Sequence, residues 1–248
     1  MSVHVFDTMG TVVSVRYPED ASGDGGMTAV ENAFAAHDRR FSLYDPDSPL
    51  SRIARGELRL ADADDEVRSA YAVAVDWRNR TGGAFTPHRP DGVIDLSGVV
   101  KAMAIADAGA ALDAQYDSWL LSAGGDVLAR GTWREAAWRV GIADPSAREK
   151  LAGLVEVLGS RRAVATSGTA ERGQHIWSRG VRDFVQVTVA ADDILTADVL
   201  ATAIAAGDGA NLDRLTADHD IDVLAFDEEG NARATPGARR WVHLEASA

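Results

Sequence analysis

Ser118–Gly131, SWLLSAGGDVLARG, holds two short apolar runs, Ser118 to Ala123 and Val127 to Gly131, joined by Gly124-Gly125-Asp126. Paired glycines accept the backbone of a tight reversal, so the segment reads as two strands meeting in a hairpin-like turn. The strand signal repeats outward from this hairpin. Downstream lie Trp138 to Ile142, Leu154 to Val157, Ala163 to Thr166 and Phe184 to Ala190. Val223 to Asp227 and Arg233 to Thr235 form a last hairpin around Glu229-Gly230-Asn231. Upstream, Val3 to Tyr17 alternates and is rich in valine, broken at Met9-Gly10-Thr11, which suggests two short strands or one with a bulge. Helical spacing of apolar residues predicts Met27 to Arg40, Asp65 to Thr81 (stopped by Gly82-Gly83), Gly98 to Leu112, Thr196 to Ala206 and the short Asn211 to Asp218. Phe41 to Ser48 reads as strand running into turn, Phe85 to Gly92 as a Pro/Gly-rich loop, and Val93 to Asp95 as a short strand. Strands outnumber crossover helices, so the class is α+β, a mainly antiparallel sheet packed with helices. No repeat and no linker interrupts the chain, so a single domain over residues 1–248 is expected.

Composition narrows the function classes. The chain has 248 residues, 46% hydrophobic and 25% charged, as folded soluble domains have. It has no cysteine, which excludes disulfides, thiolate nucleophiles, cysteine-held metals and a lipidated cysteine. A net charge of −13 repels a phosphate backbone, so no nucleic-acid partner is expected. No apolar run has the roughly 18 residues of a spanning helix, and the N-terminus does not read as a secretory signal, so a cytoplasmic protein is expected.

Four segments carry more glycine, hydroxyl and carboxylate than packing requires. In Ile94 to Met103, Asp95 closes a strand, a Ser-Gly turn opens a helix, and Lys101 follows in its first turn. Free amides, a positive dipole end and an ammonium together suit an anion, although a strand-to-helix turn with a solvated lysine explains the pattern as well. In Ser122-Ala123-Gly124-Gly125-Asp126 the glycines let a ligand come close, or simply make a hairpin. In Ala163 to Ile176, Thr166-Ser167-Gly168 offers hydroxyls and successive amides that can nest phosphate oxygens, and His175 is a candidate general base. A lone histidine is more often structural. In Thr196 to Ala203, Asp198 and Thr202 stand one helical turn apart on one face, where a carboxylate and a hydroxyl can hold a hard cation with phosphate oxygens. The plainer reading makes Thr196 an N-cap and Asp198 a first-turn acid.

These segments, with Thr8-Met9-Gly10-Thr11, FSLYDPDSPLSR (Phe41 to Arg52), TGGAF (Thr81 to Phe85) and WRVGIADP (Trp138 to Pro145), in this order along nearly the whole chain resemble the ApbE family of magnesium-dependent FAD:protein FMN transferases. The resemblance implies a T-fold-like architecture. It also implies that FAD binds with Mg²⁺ on its pyrophosphate and that a threonine hydroxyl of a client protein attacks the FMN-side phosphorus, releasing AMP. Carried over by motif, Asp198 and Thr202 are the metal ligands, with the backbone carbonyl of Val100 as a third. Met9, Tyr44, Asp95, Lys101, Gly124, Gly125 and Ser167 lie by the FAD, and His175 takes the threonine proton. The chain departs from the pattern at Ala102 for a usual glycine, at Ser122 for a usual asparagine, and after Ile176. There Trp177-Ser178-Arg179-Gly180 stands where the family carries a DPxTG turn. Two alternatives stand beside the transferase: an FAD-binding protein without transferase activity, which that loss motivates, and a Mg²⁺-dependent FAD pyrophosphatase that uses the same metal site with water as nucleophile and makes AMP and FMN.

Overall fold

The computed structural model describes residues 1–19, 25–168 and 182–241. The chain opens with the hairpin β1 (Ser2–Thr8) and β2 (Thr11–Tyr17), joined by a two-residue turn, Met9-Gly10, with φ of 49° and 69°. Positive φ at both positions gives the turn a twist that matches paired strands, so the valine-rich opening is two strands and not one bulged strand.

Helix α1 (Gly25–Phe41) follows, then α2 (Pro49–Ala54), α3 (Asp65–Arg80) and α4 (Ser97–Asp113). The hairpin β3 (Trp119–Ala123) and β4 (Asp126–Arg130) turns on Gly124 and Gly125, both at positive φ, so Asp126 belongs to the strand and not to the turn. Then come β5 (Trp138–Ala143), β6 (Leu151–Val157), β7 (Ala163–Gly168), β8 (Gln186–Ala191), α5 (Ile194–Ala205), α6 (Gly209–Asp218), β9 (Asp222–Phe226) and β10 (Ala232–Ala234).

Among the described residues the main sheet has eight strands in the order β1-β2-β3-β4-β7-β8-β9-β10, every neighbouring pair antiparallel. The fold is α+β, and β5 and β6 leave the sheet to pair with each other. Side chains alternate across the central strands. Leu121, Leu128, Ala165 and Val189 face the helices, while Leu120, Val127, Val164 and Ala190 face the β5–β6 ribbon and a final 3-10 turn, Ala238–Trp241. Both faces are covered there, which is why these strands read as continuous apolar runs. In the helical layer α4 packs between α1 and α5, and α5 lies on β7 and β8. Gly109 lets α4 approach the sheet: a Cβ there would sit 2.7 Å from Leu128 Cδ2 and 3.1 Å from Trp119.

Several sequence expectations are corrected. Phe41 to Ser48 contains no strand: α1 runs to Phe41, and a turn then leads into the unanticipated α2. Ser48 caps α2 by accepting from Ser51 N at 3.0 Å, and Pro49 begins it. Val93 to Asp95 is not a strand but one bridge, Ile94 opposite His88. Asp193, not Thr196, caps α5, accepting from Thr196 N at 2.8 Å. Thr166-Ser167-Gly168 is no nest, because β7 continues through it and pairs with β8, and a strand sends successive amides to opposite sides.

Candidate functional site

The hairpin turns and helix ends at one end of the sheet enclose an open cavity of about 1060 Å³, at the upper end of small-molecule and cofactor sites. Met9, Gly10 and Thr11 wall it from the β1–β2 turn, with Gly124 beside them, held by a bond from Gly124 N to the Val12 carbonyl at 3.3 Å. The turn after α1 adds Phe41 to Tyr44. Ser42 anchors that turn, its carbonyl accepting from the hydroxyls of Ser48 and Ser51, and Tyr44 stands 90% exposed at the rim.

The N-terminus of α4 opens on the cavity through Ser97 and Gly98. Asp95 caps its first amide, accepting from Ser97 N at 2.9 Å. One turn on, Lys101 is buried and not solvated, at 6% exposure. Its ammonium forms a close ion pair with the carboxylate of Asp126, itself fully buried at the start of β4, and lies 3.8 Å from Asp198 Oδ2 on α5. The second Asp126 oxygen accepts from Thr166 N at 3.3 Å, tying the pair to β7.

Asp198 and Thr202 share the cavity-facing side of α5, as their spacing predicted, and the Thr202 hydroxyl lies 3.1 Å from that of Ser167. Asp198 Oδ2 is buried and accepts no hydrogen bond from the described residues. A buried carboxylate oxygen left in that condition is costly unless a cation meets it. Among the described residues no group of three or more His, Cys, Asp or Glu could hold a metal. Magnesium, however, is commonly held by one or two carboxylates with the remaining oxygens from water and substrate phosphates, and Asp198, Thr202 and Ser167 supply oxygen donors only.

Met9, Tyr44, Asp95, Val100, Lys101, Gly124, Ser167, Asp198 and Thr202 all line the cavity. Gly125 is not among its walls, and His175 lies outside the described residues.

A model of the ApbE family matches residues 9–90 and 88–225. The chain belongs to the ApbE family. The fold is likewise that of solved ApbE structures. The ApbE protein of Thermotoga maritima superimposes with a TM-score of 0.81 at 20% identity, over 98% of this chain and 99% of that one. The flavinyl transferase ApbE of Pseudomonas stutzeri, in apo form, gives 0.79 at 21%, over 97% and 96%. The flavin transferase ApbE of Vibrio cholerae gives 0.78 at 20%, over 97% and 99%. No curated protein matches the chain in sequence.

Within this ApbE fold the sequence reading named the Ser122–Asp126 segment but gave Asp126, the ion-pair partner of Lys101, no role of its own. Its signal was present: a carboxylate follows the glycine pair and enters an otherwise apolar strand, DVLA, where packing alone would not place a charge. Arg89 and Arg148 also reach the walls, from loops whose reading carried no ligand signal.

Proposed function

We propose that this chain is a Mg²⁺-dependent FAD:protein FMN transferase, a single flavin transferase domain that acts in the cytoplasm on a client threonine and releases AMP. The observation that carries the proposal is Asp198 Oδ2, buried with no hydrogen bond from the described residues, beside Thr202 and Lys101 in a cavity of cofactor size. In this reading Asp198, Thr202 and the Val100 carbonyl hold the metal, which when bound withdraws charge from the FAD pyrophosphate. Lys101 adds a fixed positive charge to the same place, supported from behind by Asp126. The α4 N-terminus, with Ser97 and Gly98 on the wall, favours an anion there. Met9, Tyr44, Asp95, Gly124 and Ser167, all on the cavity wall, position the rest of the FAD. His175 takes the client hydroxyl proton as the threonine oxygen bonds to the FMN-side phosphorus and the bond to AMP breaks. Such phosphoryl transfer is largely positioning and charge stabilisation, which these groups supply.

The test is incubation with FAD and Mg²⁺, with and without a threonine-bearing acceptor peptide, and mass spectrometry of all products. FMN on the peptide threonine, AMP in equal amount and no turnover without peptide support the transferase. AMP and FMN without peptide indicate a pyrophosphatase. Intact FAD in both tubes, with a Mg²⁺-dependent rise in Tm, indicates a binding protein, the outcome that the Trp177-Ser178-Arg179-Gly180 replacement favours.

A further inference from the structure

We infer that Asp126 is a positioning residue: it holds the Lys101 ammonium away from Asp198 and so keeps the Asp198 carboxylate available to a divalent cation. The inference rests on the reading of Asp198 and Thr202 as metal ligands. Three charged groups meet here with almost no solvent: Asp126 at 0% exposure, Asp198 at 5% and Lys101 at 6%. The ammonium stands between two carboxylates but, among the described residues, makes a close ion pair with only one. That pair is with Asp126 Oδ2, while its distance to Asp198 Oδ2, 3.8 Å, is too long for a hydrogen bond. The divided arrangement leaves Asp198 Oδ2 without a hydrogen bond from the described residues, the ammonium no nearer than 3.8 Å. Were Asp126 neutral, the nearest anion for a buried ammonium would be Asp198, and a lysine side chain has the rotational freedom to close that gap. The resulting ion pair would occupy the oxygen that a metal needs.

Asp126 is itself built to stay in place. It begins β4 directly after the Gly124-Gly125 turn, pairs with Ala123 across the hairpin, and accepts from Thr166 N on β7. The trio sets one ammonium against two carboxylates, a net negative charge that a cation beside Asp198 would offset.

The experiment measures Mn²⁺ binding in the presence of saturating FAD, from loss of the free-ion electron paramagnetic resonance signal against the same FAD without protein. Asp126→Asn keeps an acceptor for Thr166 N and removes the charge. Its Mn²⁺ affinity is expected to fall about tenfold, as when groups that orient metal ligands are changed. The double variant Asp126→Asn with Lys101→Met removes the competing ammonium, and its affinity should return to within about threefold of the wild-type value. A merely structural Asp126 would leave both variants equally weak. A loss under about threefold in Asp126→Asn, or a loss that Lys101→Met does not recover, overturns the inference. If Asp126→Asn does not fold by circular dichroism, Lys101→Met alone is measured: equal or tighter binding supports the competition, and weaker binding overturns it. Wild-type protein that binds no Mn²⁺ with FAD present overturns the metal reading itself, and is distinguished from the other failures because no variant is needed to see it.

Discussion

Among single residues, those held in uncommon backbone conformations separate into two kinds. Met9, at φ 49°, lines the cavity; Arg134 and Glu135, at 49° and 66°, form the two-residue turn between Trp133 and Ala136 away from it. Left-handed backbone costs an ordinary residue about 1–2 kcal/mol. Arg134→Asn with Glu135→Gly should therefore stabilise the fold by about 1 kcal/mol after loss of the Arg134–Trp133 ring contact, seen as a higher urea midpoint with FAD affinity unchanged. Met9→Gly relieves the same kind of strain but removes a side chain that packs against the core and walls the cavity, so its midpoint should change little while its FAD affinity falls. A Met9→Gly variant that binds FAD as wild type would show that the side chain has no part in the site. Asp198→Ala should reduce Mg²⁺-dependent AMP release to the metal-free rate, because a threonine hydroxyl alone does not hold the ion. At this scale the placement of Asp198 and Thr202 on one cavity-facing side of a helix was legible from their spacing. The burial of Lys101 was not, since a lysine one turn into a helix reads as solvated until its carboxylate partner arrives from another strand.

Single elements tell which readings survive tertiary context. Helix α4, apolar nearly all round, is buried as such a helix must be, and Gly109 sets how closely it lies on the sheet. Gly109→Ala gains about 1 kcal/mol of helix propensity but overpacks against Leu128 and Trp119, which typically costs about 1–3 kcal/mol, so a lower Tm is expected. Helix α3 is docked partly through histidines. His88 hydrogen-bonds the Tyr71 hydroxyl at 3.1 Å, and His219 lies 5.7 Å from the Trp77 ring. Burial first, and the nearby Arg78 second, holds the His88 imidazole below the ordinary range; burial and then Arg80 do the same for His219. In the window between those lowered values and the unfolded value of about 6.5, the unfolded chain binds more protons, so stability is present above about pH 6.5 and is lost as the pH falls. The urea midpoint should be lower at pH 5.5 than at pH 7.5, and His88→Gln with His219→Gln should flatten that difference. Long helices were legible from their spacing. The six-residue α2 was not, although Ser48-Pro49 carries its start signal, because a helix that short offers less than two turns of periodicity.

The whole molecule depends on a strand order that no single element states. The mainly antiparallel class followed from the Gly124-Gly125 hairpin and the many short apolar runs, but the excursion of β5 and β6 did not. Their apolar residues resemble those of sheet strands because they cover the sheet's second face, with Val155, Val157 and Ile142 packed against Leu120, Val164 and Leu224. The same order sets β2, near the start of the chain, beside β3, with Val13 opposite Ala123 and Ser14 opposite Ser122. Contacts so distant in sequence are among the slowest to form. Met9 and Gly124 stand on opposite sides of that seam, and Lys101, Ser167 and Asp198 come from three further elements. The cavity is therefore expected to be complete only once that seam has closed. During refolding from urea, the far-ultraviolet helical signal should recover first, and quenching of added FAD fluorescence should appear only in the final, slowest phase. A nascent chain would then gain its affinity for the flavin all at once, as its first and middle segments close together.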